Sequence, residues 1–182
     1  MSPLSLRRLL CLTVEVVVAA LLQGLPRDLL WLPLPWEGRP AFLALVVLDS
    51  SLRDGPVAGA CTGFLTGWWT DLAAGNLLGA GAGAWLLAGY GVGLLGTYLF
   101  RERWEVPAVL VPAGTLAGAT LELLFGSIWH AGPALPGLWL QTVMPAVLYN
   151  SFLSVLIYGL MHRWFWRPRP VVYRLGERAH GR

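Results

Sequence analysis

The chain has 182 residues, 56% of them hydrophobic and only 13% charged, with a mean hydropathy of +0.61, where an ordinary soluble domain carries about 25% charge. A soluble globular protein is excluded, and at about 20 apolar residues per membrane-spanning helix the length holds about six spans with short loops and no sizeable extramembrane domain. The net charge of +3 comes from 13 arginines against 10 acids, with no lysine, and a basic excess in so apolar a chain reports membrane orientation, not nucleic-acid binding.

The first apolar run extends from Leu9 to Leu25 and ends at Pro26, Arg27 and Asp28. Arg7 and Arg8 before it imitate a signal peptide, but Glu15 interrupts the run and no A-x-A site closes it, so an uncleaved span is expected. Trp31 to Pro40 holds three prolines, which remove backbone donors and break helices, and predicts an interfacial loop. The run Pro40 to Leu52 is too short to cross a bilayer core of about 30 Å comfortably. Further spans are expected over Pro56 to Thr70, Leu77 to Phe100, Val106 to Trp129 and Leu138 to Met161. The expected fold is an all-α polytopic membrane protein with about six transmembrane helices, one of them short. Residues 1–162 make the membrane domain and 163–182 a basic cytoplasmic tail.

Cytoplasmic loops retain positive charge during insertion. With six spans, Arg27 and Arg39 fall on one side and the other eleven of the 13 arginines on the opposite side, which predicts both termini in the cytoplasm. Tryptophan, which favours membrane interfaces, agrees: Trp68, Trp69, Trp129 and Trp139 fall at the outer boundary and Trp104, Trp164 and Trp166 at the inner one. The tail arginines Arg163, Arg167, Arg169, Arg174 and Arg178 either enforce this topology or also bind anionic lipid. Cys11 and Cys61 lie inside apolar runs and are expected to be packing residues.

Glycine recurs at every fourth position at Gly55, Gly59, Gly63 and Gly67, with Asp71 at the next step and Gly75, Gly79 and Gly83 after it. On a helix this spacing builds a smooth strip that another helix approaches closely, where van der Waals packing replaces the hydrophobic drive absent in lipid. The strip serves packing within the chain or capture of a partner's helix. Gly91, Gly93 and Gly96 spell G-x-G-x-x-G, but inside an apolar helical run, without the strand that a dinucleotide site needs.

Glu15, Asp49, Asp71 and Glu122 sit within or beside spans, and an ionisable group in hydrocarbon must face protein or water. At a rise of 1.5 Å per residue, Asp71 and Glu122 lie about 22 Å and about 24 Å from the inner starts of their helices. They therefore share an outer depth and either line one outward cavity or act separately, Asp71 as a helix cap and Glu122 as a packing contact. Tyr149 and Asn150 near the middle of the sixth span are expected to hydrogen-bond to a neighbouring helix. His130, His162 and His180 are scattered without ligand spacing, and no serine sits in a nucleophile elbow. Neither an enzyme nor a cofactor is expected.

The stretch Gly59 to Tyr90 resembles the signature of the MreD family of bacterial rod-shape-determining membrane proteins. Its G-F-x-x-G-x-x-x-D core, small-residue turn, L-G pair and G-Y pair fall on Gly63, Phe64, Gly67, Asp71, Gly75, Leu78, Gly79, Gly89 and Tyr90. Pro145, Tyr149 and Asn150 resemble the family's P-x-x-x-Y-N element. The resemblance implies a non-enzymatic component of the cell-elongation machinery in the bacterial inner membrane. It would bind MreC and, through MreC, RodA, a class B penicillin-binding protein and MreB. The family is also similar in helix layout to the substrate-binding subunits of energy-coupling-factor transporters, which implies a second possibility, a vitamin-like small-molecule binding subunit. A binder of lipid or a polyprenyl carrier is a third.

Overall fold

A computed structural model describes residues 6–24, 41–75, 78–99, 105–129 and 135–165, and the following account concerns these alone. They form six helices, α1 (Leu6–Gly24), α2 (Phe42–Asp54), α3 (Pro56–Ala74), α4 (Ala80–Tyr98), α5 (Glu105–Trp129) and α6 (Leu135–Phe165), with no strand among the described residues. Each helix falls on one of the six expected runs. The last is longer than expected, so Arg163 belongs to α6, while Arg167, Arg169, Arg174 and Arg178 lie outside the described residues.

Two stretches, Val106–Ile128 and Trp139–Tyr158, are long and apolar enough to cross a membrane by length and composition. The 19-residue helices α3 and α4 are instead rich in glycine and alanine. Those residues contribute little apolar area and much close helix contact.

The short helix α2 lies at the centre. It contacts every other helix, whereas α1 packs chiefly on α2. Leu43, Ala44, Val47, Leu48, Ser50, Ser51 and Leu52 of α2 are buried. Leu48 and Leu52 pack with Val92 of α4 and Leu110 and Val111 of α5. At 13 residues α2 is about 20 Å long, too short to span the hydrocarbon of a bilayer. A helix enclosed by five others has no such requirement, which explains a run that looks deficient in the sequence.

The link from α2 to α3 is one residue. Gly55 has φ 100°, a conformation open to glycine and strained for other residues, and its N–H donates to the Ser51 carbonyl at 3.1 Å. Pro56 then occupies the first helical position of α3, where a missing N–H costs nothing and the fixed φ suits the helix.

Candidate functional site

Helices α3 and α4 meet along a glycine seam in antiparallel register. A Cβ placed on Gly63 would collide with the Trp85 carbonyl, and one on Gly67 with the Gly81 carbonyl. One on Gly59 would come within 2.6 Å of the Gly89 carbonyl. On α4 the facing positions Gly81, Trp85, Gly89 and Gly93 also recur every fourth residue, and a Cβ on Gly93 would come within 2.5 Å of Pro56 Cα. The strip read on α3 is therefore covered by the chain's own α4. Of the G-x-G-x-x-G glycines only Gly93 lies against α3, while a Cβ on Gly91 meets nothing within 4 Å and one on Gly96 meets Leu52 of α2.

The glycine period continues beyond Asp71 in sequence but not in space. Gly75 and Gly79 take positive φ values of 64° and 111° at the turn between the helices, and a Cβ on either would meet nothing within 4 Å. They reverse the chain and do not join the packing strip. Gly83 faces Phe125 of α5. Phe64 points away from the seam and is 45% exposed.

Asp71 is only 1% exposed. Its carboxylate accepts backbone N–H bonds from Gly79 at 2.9 Å and Gly81 at 3.1 Å, with a longer one from Ala82 at 3.4 Å. These are the orphan donors at the start of α4, and a charged acceptor near a helix N-terminus is favoured by the helix dipole as well. Asp71 is thus the cap that closes the α3–α4 hairpin. Of the two alternatives for Asp71, a shared cavity with Glu122 or a separate helix cap, the geometry matches the cap, since its oxygens are occupied by α4 and it is not among the described residues of the cavity wall.

The start of α2 lies inside the bundle, where its amides need partners. Asn150 of α6 is fully buried, and its side-chain amide pairs with Ala41 in both directions. Ala41 N–H donates to Oδ1 at 3.2 Å, and Nδ2 donates to the Ala41 carbonyl at 3.3 Å and to Thr115 Oγ1 at 3.2 Å. Gln23 of α1 accepts from Leu43 N–H in the first turn, at 3.1 Å to Oε1. Tyr149 is buried beside Asn150.

Above the start of α2 is a partly open cavity of about 430 Å³, walled by α1, α2 and α3 together with Trp85 and Glu122. Trp85 is the residue that sequence reading missed, being a tryptophan away from either expected boundary. Its ring lies on Gly118, where a Cβ would come within 2.6 Å of it. Its Nε1 donates to Glu122 Oε2 at 2.9 Å.

The opposite end of the bundle holds a network of charges. The Arg8 guanidinium of α1 bonds both Asp54 oxygens, with Nε at 3.1 and 3.0 Å and Nη2 at 2.9 Å, and it contacts Glu15 at 3.6 Å. Asp49 Oδ1 accepts from Arg53 at 2.8 Å and from the Tyr158 hydroxyl of α6 at 2.6 Å. Arg8 thereby joins α1 to α2 through Asp54, while Glu15 is its ion-pair partner within α1. Cys11 and Cys61 are exposed on the bundle surface, against the expectation that they pack inside. Among the described residues no group of three or more His, Cys, Asp or Glu side chains comes together to hold a metal.

Comparison with curated proteins finds no match, and comparison with solved structures finds none. The profile of one protein family, described as rod shape-determining protein MreD, matches residues 5–167. That match takes in all six helices, the capped hairpin of Gly63, Gly67 and Asp71, and the buried Asn150, and by it the chain belongs to the MreD family of rod-shape-determining membrane proteins.

Proposed function

We propose that this chain is a multi-pass, non-catalytic component of the bacterial cell-elongation complex. It binds MreC directly and, through MreC, reaches RodA, a class B penicillin-binding protein and MreB. The family match over residues 5–167 carries this reading. Both termini lie in the cytoplasm, supported by the uneven distribution of the 13 arginines, and the basic tail from Arg163 onward lies along anionic lipid.

The partner helix meets the outer face of α3. The seam residues Gly59, Gly63 and Gly67 are buried against α4, while Phe64, Leu65 and Trp68 remain exposed on the same helix. Capture of MreC from native membranes tests this, with Phe64→Ala expected to lower recovered MreC several-fold while the thermal midpoint stays within about 2 °C of the parent. Undiminished capture by Phe64→Ala removes this face from the interface, and absence of MreC from the parent's complex overturns the reading.

A second reading, a small-molecule binding subunit resembling those of energy-coupling-factor transporters, is favoured by one observation, the cavity beside Glu122. Co-purification of transporter ATPases in place of MreC would decide for it.

A further inference from the structure

We propose that the cavity over the start of α2 binds a primary ammonium group. This inference rests on the cavity alone and holds under either functional reading. A volume of about 430 Å³ lies within the range of about 300–1,000 Å³ typical of small-molecule sites. Its polar side chains are biased toward accepting hydrogen bonds. Trp85 engages only one Glu122 oxygen, Oε2, and a carboxylate accepts at both. The Thr66 hydroxyl donates to the Thr62 carbonyl at 2.7 Å and the Thr70 hydroxyl to the Gly67 carbonyl at 2.8 Å. A hydroxyl whose proton is committed to the backbone keeps lone pairs for a ligand. Thr66 and Thr70 are four residues apart and so share a face of α3.

The wall also contains the indoles of Trp69 and Trp85, whose ring faces attract cations. Against these acceptors, the described side chains of the wall offer two uncommitted donor groups, the Gln23 amide and the Trp69 N–H. An ammonium group has three donors and no acceptor, which suits a wall where Glu122, Thr66 and Thr70 offer acceptor oxygens. A guanidinium is larger and planar, and a neutral alcohol brings no charge to set against Glu122. The last residue of α1, Gly24, and the last of α3, Ala74, lie in the wall. A soluble amine or the headgroup of an aminophospholipid can supply the ligand at this end of the bundle.

The test uses the full chain in nanodiscs of phosphatidylglycerol, titrated with phenethylamine and with its neutral analogue 2-phenylethanol, and followed by calorimetry. Saturable binding of the amine, at least tenfold weaker binding of the alcohol, and at least tenfold loss in Glu122→Gln are expected. Glutamine still accepts from Trp85, so near-ultraviolet dichroism should be unchanged in that variant. Should Glu122→Gln fail to fold, Thr70→Val and Ala73→Leu take its place, the first removing an acceptor and the second filling space, each with an expected loss of at least threefold. Phosphatidylethanolamine in the disc distinguishes the sources. A lipid ligand competes with phenethylamine and remains bound to the parent in native mass spectrometry, whereas a soluble amine binds equally in both discs. Absence of saturable binding to the parent with no retained phosphatidylethanolamine, equal binding of the alcohol, or an affinity indifferent to these variants overturns the proposal, and none of these results bears on MreC capture.

Discussion

Replacing Gly63 with alanine adds one methyl group at the closest point of the α3–α4 seam. Its nearest neighbour would be the Trp85 carbonyl, with the Trp85 carbonyl carbon 2.6 Å away and Leu86 N 3.0 Å away. All are backbone atoms held by α4's own hydrogen bonds, so none can rotate aside and the helices must separate. Overpacking of this kind costs about 1–3 kcal/mol, and the rigidity of the neighbour places it in the upper part of that range. Alanine's better helix propensity returns about 1 kcal/mol, leaving a net loss of about 1–2 kcal/mol. Gly91→Ala is the matched control. It makes the same chemical change within α4, where a Cβ meets nothing within 4 Å, so only the gain of about 0.5–1 kcal/mol remains. The two variants should therefore separate by about 2–3 kcal/mol with opposite signs. Thermal unfolding in one detergent, followed by helicity and by the near-ultraviolet signal of the tryptophans, reads the difference. If Gly63→Ala unfolds at or above the midpoint of Gly91→Ala, the seam is not the close contact described.

Asn150→Leu removes both bonds to Ala41 and strands the Ala41 N–H, while the Ala41 carbonyl keeps the Leu45 N–H, at a cost of about 1–3 kcal/mol; Asn150→Asp, which still accepts from Ala41 N–H, should lose less, and equal midpoints for both variants would contradict the capping role. In a variant with Cys11 and Cys61 replaced by serine, a cysteine beside Arg101 should be labelled only from the cytoplasm and one beside Gly132 only from outside, and the reverse pattern would sink the proposed topology. Replacing Arg174, Arg178 and Arg182 with glutamine should leave insertion intact and weaken binding of a soluble tail fusion to anionic vesicles, at about 1 kcal/mol per charge near the surface. Unchanged, salt-insensitive binding would leave the distal tail without a membrane role.

Class, helix number and family are legible in the order of the residues. Low charge and long apolar runs mark a membrane protein built of helices, and the Gly-Pro step at Gly55 and Pro56 marks a helix boundary by local chemistry alone. The glycine period of α3 and the buried acid at Asp71 were visible for the same reason, because both concern spacing along one helix. What faces that helix was not visible. Whether Gly63 meets α4 or a partner's helix depends on how two distant segments dock, and the identical spacing at Gly75 and Gly79 carries a turn instead, since periodicity in sequence has no knowledge of where the helix stops. Asp71 and Glu122 share a depth, but depth does not fix azimuth, and α4 takes one of the two carboxylates while the cavity takes the other. Only the tertiary structure placed α2 at the centre, where enclosure by five helices removes the need to span the bilayer and where Asn150 and Gln23, from opposite ends of the chain, satisfy amides that no local residue reaches.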